Sequence, residues 1–260
     1  MEARELKSPL DSNGSVIEMF DRISGAYDLL NALMSVGRDR MWRHALARRA
    51  AGGRGGRVLD LAAGTGDTAL AFSDVMSGER LVVGLDASAP MLARARAKGR
   101  ARRRLVWAEG DAHELPLADG VFDCSAMVFG LRNLADPARV LGEMARVTRA
   151  GGSVSILEFT LPSSRPLRAL YMAAFNSVVP LAGRVVSGHP WAYGYLPRSV
   201  ARFDRSADVA GLMRGAGLER VRTTRLAFGL VALYEGVVSC HSSGPHAEGR
   251  RERAGGRAEG

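Results

Sequence analysis

The sequence has very little cysteine. Its 260 residues include two, Cys124 and Cys240, which lie far apart in the chain and show no metal-binding spacing. So sparse a pair argues against a disulfide-rich secreted domain and against a zinc site, and it favours a reducing, cytosolic setting. The amino-terminal residues MEARELKSPLDSNG also lack the apolar core of a signal peptide, so we expect no secretory signal.

Long apolar runs are missing as well. No segment approaches the roughly 20 consecutive apolar residues of a membrane-spanning helix, which excludes a membrane span. The nearest candidate, residues 169–183, is interrupted by Asn176, Ser177 and Pro180. This stretch suits a helix that covers an apolar ligand.

Aromatic residues are absent where the chain is most basic. Seven basic residues fall from Arg94 to Arg104, with no aromatic residue among them. A surface that binds single-stranded nucleic acid stacks bases on aromatic side chains, so we expect no nucleic-acid partner. The formal net charge of +9 leaves attraction to acidic lipid headgroups open.

Short apolar runs alternate with segments of helical periodicity through the middle of the chain. This alternation is typical of βαβ units and predicts an α/β fold around a parallel sheet. The predicted strands are residues 57–62, 80–86, 104–110, 121–129 and 152–160, followed by two closing strands at 218–226 and 228–238. With 47% hydrophobic and 24% charged residues, the chain suits one domain with one sizeable core.

The predicted domain has polar additions at both ends and one insertion. Residues 1–14 and 239–260 are predicted to be disordered, because they cannot bury enough apolar surface to offset their ordering entropy. The single domain therefore covers residues 15–238. Within it, residues 15–52 have helical periodicity and predict a cap over the crevice, and the Pro-rich apolar stretch 161–200 predicts a lid.

A glycine turn follows the first predicted strand. The strand ends in Asp60, and Gly64, Thr65 and Gly66 make the turn into a helix. Glycines let the backbone approach a ligand there, and helix amides can receive an anionic group. Gly64, Gly66 and Ala69 also fit the dinucleotide fingerprint G-x-G-x-x-G/A, which keeps a nicotinamide or flavin enzyme open.

Acidic residues follow the next two strands at the same predicted edge of the sheet. Asp86 ends the second strand, 20 residues after Gly66, where a carboxylate can accept both hydroxyls of a ribose. Asp111 and Ala112 follow the third strand, where an acid can accept a hydrogen bond from an adenine amino group. These positions predict an adenosine-containing cofactor.

The succession D-x-A-x-G-x-G, Asp86 and GDA…LP…FD resembles the class I S-adenosylmethionine methyltransferases, whose cofactor has a ribose diol and no pyrophosphate. The likeness narrows to the ubiquinone/menaquinone biosynthesis C-methyltransferases and covers roughly residues 17–238. The segments that carry it are MFDRISGAYDLLNALMSVGRDRMWR, VLDLAAGTGD, FGLRNLADPARVLGEMARV, RAGGSVSILEFTLP, YGYLPRSV and GLVALYEG.

This resemblance implies a Rossmann-like fold with a seven-stranded, mostly parallel sheet and helices on both faces. It implies an enzyme that uses S-adenosylmethionine to methylate a ring carbon of a reduced, prenylated quinone, most directly demethylmenaquinol to menaquinol. It also implies a lipid-soluble quinol as partner and a cytoplasmic location with peripheral contact at the inner face of the membrane, and it leaves a homo-oligomer open. The positions that match the family's cofactor motifs are Asp60, Gly64, Thr65, Gly66, Asp86, Asp111 and Ala112.

The segment FGLRN, residues 129–133, is typical of that family and puts Arg132 and Asn133 at the exit of the fourth strand. The resemblance implies that both face the acceptor, with Arg132 stabilising the phenolate of a deprotonated hydroquinol. The alternative is that Arg132 anchors the loop through a salt bridge to an acid such as Asp136. Glu158, on the fifth strand, is predicted either to accept a proton or to pair with an arginine.

The cap and the lid supply the remaining candidates. Tyr27 and Asn31 share one face of a cap helix at i, i+4 spacing, either as a catalytic and a substrate-binding residue or as helix packing. On the lid, His189, Tyr193 and Tyr195 are candidates for acid–base catalysis or substrate binding.

Four positions depart from the family pattern, the mildest being Ala63, which replaces the first glycine of the family's G-G-T-G-D turn. Val128 stands where many members have a serine that contacts the cofactor, so that only a backbone contact remains there. Asp39 replaces a cap histidine and Arg198 reverses the charge of a lid glutamate, which keeps a secondary-metabolite phenol or polyketide open as substrate. A nicotinamide-dependent oxidoreductase and a non-catalytic cofactor-binding protein are the more distant alternatives.

Overall fold

The computed structural model describes residues 13–25, 27–52, 56–76, 80–173, 198–204 and 207–240. The candidates His189, Tyr193 and Tyr195 lie outside the described residues, as do nearly all of the two ends that were predicted to be disordered. Most of the predicted lid also falls outside them, so its fold stays a prediction.

One seven-stranded sheet forms the centre of the molecule, as predicted. Its strands lie in the order β3-β2-β1-β4-β5-β7-β6. The first five are parallel, and β7 runs antiparallel to both of its neighbours. The strands are β1 (Arg57–Leu61), β2 (Leu81–Asp86), β3 (Leu105–Glu109), β4 (Phe122–Val128), β5 (Thr148–Phe159), β6 (Leu218–Leu226) and β7 (Val231–Val238).

Helices connect the strands and follow local sequence signals. Ser88 and Asp136 each cap a helix whose first turn contains proline, and their side chains accept hydrogen bonds from backbone N–H groups of that turn. The helices are α1 (Asn13–Ile23), α2 (Tyr27–Met34), α3 (Asp39–Ala51), α4 (Asp67–Val75), α5 (Ala89–Lys98), α6 (Pro137–Val147), α7 (165–173), α8 (198–204) and α9 (Val209–Gly215).

Both faces of the sheet are covered, which explains why its central strands are apolar on both sides. One apolar cluster joins the cap helices and α4 to β4 and β5, and a second joins α6 and α9 to the other face. Within the predicted cap, α3 packs against α4 and the sheet. Of the three helices in the predicted cap, α1 and α2 are therefore the two that cover the carboxyl edge. Within the described ranges, no helix combines the length and the apolar character needed to cross a bilayer.

Candidate cofactor and acceptor site

A pocket of about 750 Å³, including its open mouth, lies at the carboxyl edge of the sheet. Its wall combines the exit loops of β1, β2, β3 and β4 with three apolar side chains of α1, namely Val16, Ile17 and Phe20. Of the residues predicted for the site, those in the wall are Tyr27, Gly64, Asp86, Asp111, Ala112 and Asn133.

Asp86 joins two of these exit loops. Its Oδ2 accepts a hydrogen bond from the Gly64 amide at 2.7 Å, and its Oδ1 accepts one from the Ser88 amide at 2.8 Å. Burial raises the pKa of Asp86, and the amides of Ser88 and Gly64 oppose that rise. Each carboxylate oxygen keeps acceptor capacity, so the group is suited to bind a diol.

The residues of the glycine turn differ in position: one lines the pocket and two lie behind its wall. Gly64 reaches the wall, with a φ of +56°. Gly66 lies behind the wall, where a Cβ would come within 2.5 Å of the Trp107 ring and its φ is +87°. Thr65 is also behind the wall, and its hydroxyl donates to Asp28 of the cap at 2.5 Å. Thr65 and Gly66 thus position the turn.

Side-chain bonds hold the cap over the pocket. Lys98 of α5 pairs with Asp28 of α2 at 2.6 Å and with Asp67 of α4 at 2.7 Å. The Ser88 hydroxyl donates to Asp21 of α1 at 2.5 Å. These contacts connect both cap helices to the loops that carry the cofactor motifs.

Asp60 lies behind the wall in a buried polar network. Burial raises its pKa from 3.8 to about 7, although the charge of Arg43 acts in the opposite direction. Arg43 of α3 donates to Thr68 and lies 3.9 Å from the Asp39 carboxylate. Asp39, one of the departures from the family pattern, therefore offsets the charge of Arg43 and takes no part in the wall. Its effect on the choice of acceptor stays a prediction.

Asp111 forms a local pair that the sequence analysis did not anticipate. Its Oδ1 accepts hydrogen bonds from the His113 amide at 2.9 Å and from the His113 ring Nδ1 at 2.7 Å. The amide bond, together with the ring, lowers the pKa of Asp111. Both residues line the pocket. The signal was present in the sequence, since a residue two positions after an aspartate in a loop often bonds its side chain.

The FGLRN loop turns sharply at Phe129. This residue has a left-handed φ of +59° and lines the pocket, and its buried ring stacks on Phe159 at 4.1 Å. Two guanidinium groups lie over these rings: Arg43 is 5.3 Å from the Phe129 centroid and Arg132 is 5.5 Å from the Phe159 centroid. Positive charge therefore lies behind the loop, within the core.

Arg132 is placed differently from the expectation that it faces the acceptor directly. Its Nη1 donates to Glu158 Oε1 and to the Phe129 carbonyl, both at 2.7 Å, and both charged side chains are fully buried. The left-handed turn at Phe129 directs the next residues back toward β5. Asp136 is not the partner, because it caps α6. The catalytic roles of Arg132 and Glu158 stay predictions.

Of the other two predicted residues in this region, one lines the pocket and one lies behind its wall. Asn133 lines the pocket, and its Nδ2 donates to the Phe129 carbonyl at 3.2 Å. Val128 is 4% exposed and packs in the core, so its side chain is not part of the wall. A backbone contact with the cofactor stays a prediction.

Tyr27 and Asn31 are brought together, as their spacing predicted. Burial raises the pKa of the Tyr27 phenol, whereas the neighbouring Asn31 side chain and the charges of Arg132 and Arg43 lower it. Tyr27 also packs edge-on against Phe20 at 5.7 Å. The pocket therefore has a phenol in its wall that is under the influence of two buried cations.

Comparison with known proteins agrees with this geometry. The model of the ubiE/COQ5 methyltransferase family matches residues 7–238. A demethylmenaquinone methyltransferase of Thermus thermophilus is 42% identical over 84% of this chain and 99% of its own length. One from Deinococcus radiodurans is 40% identical over 87% of this chain and 93% of its own.

Solved structures show the fold at lower identity. An S-adenosylmethionine-dependent methyltransferase of Thermotoga maritima is 20% identical, with a TM-score of 0.55 over 85% of this chain and 99% of its own. The [4+2]-cyclase SpnF is 15% identical, with a TM-score of 0.58 over 88% of this chain and 96% of its own. Because a cyclase shares the fold, the fold alone does not specify the reaction. The sequence match over most of the chain does show the family: this chain belongs to the ubiE/COQ5 methyltransferases.

Proposed function

We propose that this chain uses S-adenosylmethionine to methylate a ring carbon of a reduced, prenylated quinone, with demethylmenaquinol as the acceptor. The named relatives support the acceptor, and the pocket supports the cofactor. Asp86 can bind the ribose diol, Asp111 can accept from the adenine amino group, and the cap covers both.

The charge of the wall favours this cofactor over a dinucleotide. Among the described residues, the wall contains Asp86 and Asp111 but neither lysine nor arginine. A sulfonium and an ammonium group are cations and suit such a wall, whereas a pyrophosphate would depend on the helix amides alone. When bound, S-adenosylmethionine supplies an electrophilic methyl group.

The observation that carries the acceptor proposal is the electrostatic environment of Tyr27. Burial raises the pKa of this phenol overall, and the charge of Asp86 adds to the rise, whereas the charges of Arg132 and Arg43 lower it in part. A hydroquinol hydroxyl bound beside Tyr27 would be acted on by the same two positive charges, which would offset part of the cost of burying its phenolate. Deprotonation directs electron density onto the ring carbon that is to be methylated.

The two arginines lie behind the FGLRN loop. The stacked rings of Phe129 and Phe159 lie beside the two guanidinium groups, and each guanidinium is close to a carboxylate of its own, so their charges would act on a developing anion through space and not through a direct hydrogen bond. Fixed charges contribute most in a site that excludes water. Alignment of the ring carbon with the methyl group adds to this effect.

A methylation assay tests the proposal directly. The purified protein is incubated with S-adenosylmethionine and chemically reduced demethylmenaquinone, and the lipid product is analysed by mass spectrometry. We expect one added ring methyl group with the reduced acceptor and none with the oxidised quinone. An absence of product from the reduced quinol, with methylation of unprenylated phenols instead, would establish a different acceptor class.

Cofactor choice is tested separately by thermal denaturation. S-adenosylmethionine should raise the melting temperature, and NADH at the same concentration should leave it unchanged. Stabilisation by NADH alone would overturn the cofactor assignment.

A further inference from the structure

The turn between β6 and β7 exposes an aromatic ring on a strained backbone. Ala227, Phe228 and Gly229 all have a left-handed φ, at 49°, 57° and 88°. The Phe228 side chain is 87% exposed. Left-handed backbone is unfavourable for alanine and phenylalanine, and an exposed phenyl ring contributes no burial to offset it. The left-handed backbone at Phe228 is thus unfavourable, and packing of its ring inside the protein does not offset that cost.

Two helical segments lie beside this turn. Thr160, just after β5, donates to the Gly229 carbonyl at 2.7 Å, and Arg225 donates to Ser163 at 3.5 Å. The Leu161 amide donates to Asp204 of α8 at 3.1 Å. Residues 161–173, 198–204 and 225–229 therefore form one contiguous region at the carboxyl edge, named the docking surface below.

The docking surface is basic as well as partly apolar. Besides Phe228, it exposes Leu170 to 67%. Its only acidic residue is Asp204, which lies 3.9 Å from the Arg168 guanidinium, against five exposed arginines: Arg165, Arg168, Arg198, Arg202 and Arg225. Exposed apolar side chains among arginines are typical of proteins that lie on an anionic membrane, where apolar groups enter the interface and cations meet phosphate.

The same helix that exposes Leu170 is packed against the core on its inner side. Tyr171 and Met172 pack against the core cluster that contains Phe159. Burial raises the pKa of Tyr171 to about 12, and the charge of Arg132, which lies over the Phe159 ring, opposes that rise. The inner side of α7 therefore packs on the same apolar cluster that borders Arg132.

The densest basic run of the sequence is a poor alternative. Residues 102–104 precede β3, and therefore lie at the amino edge of the sheet, away from the pocket. Arg102 is also paired with Asp74 at 2.5 Å. A protein docked through that edge would hold its pocket away from the bilayer.

We propose that the docking surface binds the anionic surface of a lipid bilayer, with Phe228 and Leu170 in the interface and the five arginines on the headgroup phosphates. This assignment rests on the proposed function for the identity of the acceptor, but vesicle binding can be measured without any acceptor. Docking at this edge lets a lipid-soluble quinol enter the pocket while its tail stays in the bilayer.

Vesicle co-sedimentation tests the surface. The full-length protein should bind vesicles that contain phosphatidylglycerol, bind phosphatidylcholine vesicles much more weakly, and be released by salt. The variant F228N/L170Q should bind at least about tenfold more weakly, because two interfacial apolar groups are lost. Asparagine tolerates the left-handed backbone, so this variant should fold. R165E/R202E should weaken binding to a similar extent through charge.

Matched controls lie at the opposite end of the sheet. Val106 is 47% exposed on β3, and V106T removes an exposed apolar group there. R103E/R104E makes the same charge change at the amino edge. Both controls should bind vesicles like the unaltered protein. Equal binding by F228N/L170Q and the unaltered protein, or loss of binding only in R103E/R104E, would overturn the proposal.

Activity measurements separate docking from catalysis. F228N/L170Q should methylate a short-tailed quinol in solution at the normal rate and a long-tailed quinol in vesicles about tenfold more slowly. A protein that binds vesicles through this surface but methylates no quinol would refute the proposed acceptor and leave docking intact. A variant that loses self-association instead of vesicle binding would show that a second copy of the chain covers this surface.

Discussion

Replacing Arg132 with methionine should destabilise the fold by about 3–5 kcal/mol, because it leaves the Glu158 carboxylate buried without its counter-charge. Both side chains are fully excluded from solvent, and the Nη1 to Oε1 distance is 2.7 Å. Glu158 would still accept hydrogen bonds from the backbone amides of Arg132 at 3.2 Å and Phe159 at 2.9 Å. Those two bonds place the expected loss at the lower end of the range.

A double-mutant cycle separates the pair from its surroundings. E158Q removes the negative charge and keeps the shape, and R132M/E158Q leaves no isolated charge. Urea denaturation of the four proteins should give a coupling energy of about 2–3 kcal/mol, so the double variant should be more stable than R132M alone. A purely additive cycle, or an R132M loss below about 1 kcal/mol, would refute the view that this pair holds the FGLRN loop.

The same double variant distinguishes anchoring from catalysis. If Arg132 only anchors the loop, the single-turnover rate at saturating cofactor and acceptor should recover along with stability. If its charge stabilises the acceptor phenolate, that rate should stay roughly 10²–10³-fold below normal in both R132M and R132M/E158Q. We expect the second result, because Arg132 already acts on the pocket phenol of Tyr27. Full recovery of the rate would refute the electrostatic role.

Three further substitutions test residues of the cofactor motifs, one in the pocket wall and two behind it. Asp86→Ala should weaken S-adenosylmethionine binding at least tenfold by calorimetry, at about 1.5–3 kcal/mol per charged hydrogen bond, whereas Asp123→Ala, which loses two amide bonds at the amino edge, should leave affinity unchanged. Because burial raises the pKa of Asp60 from 3.8 to about 7, the folded state binds a proton that the unfolded chain releases. Stability should therefore fall as pH rises from 4 to 7, by up to about 4 kcal/mol, and Asp60→Asn should abolish that slope in denaturation at several pH values. Gly66→Ala should lower the melting temperature markedly because a Cβ would meet Trp107 at 2.5 Å, whereas Gly142→Ala, with nothing within 4 Å, should not; equal effects would contradict the close-approach argument.

The order of strands and helices was predictable because its signals are local. An apolar run, a helix cap or a glycine turn is formed by residues a few positions apart, so each can be recognised in the sequence without knowledge of the fold. The positions of Asp86 and Asp111 in the pocket followed for the same reason, since parallel strands end at one edge. The resemblance of the motifs to those of class I methyltransferases then indicated which cofactor these positions bind.

Side-chain direction behind the wall was not predictable. Arg132 and Asn133 are adjacent in sequence, yet Asn133 lines the pocket and Arg132 is buried against β5. The difference comes from the left-handed backbone of Phe129 and from a partner on another strand, Glu158. Neither the backbone angle nor the pairing leaves a signal within the pentapeptide.

The residues alone were enough to predict an α/β fold with glycine and acidic loops at one sheet edge, because periodicity and turn chemistry are properties of short segments, and the resemblance of its motifs then identified a methyltransferase family. Only the tertiary structure decided that Arg43, from a cap helix, and Arg132, from a loop after β4, lie over two stacked rings behind the pocket. It also decided that Phe228 lies exposed beside α7. These arrangements depend on contacts between residues that are distant in the sequence, which short sequence segments do not reveal.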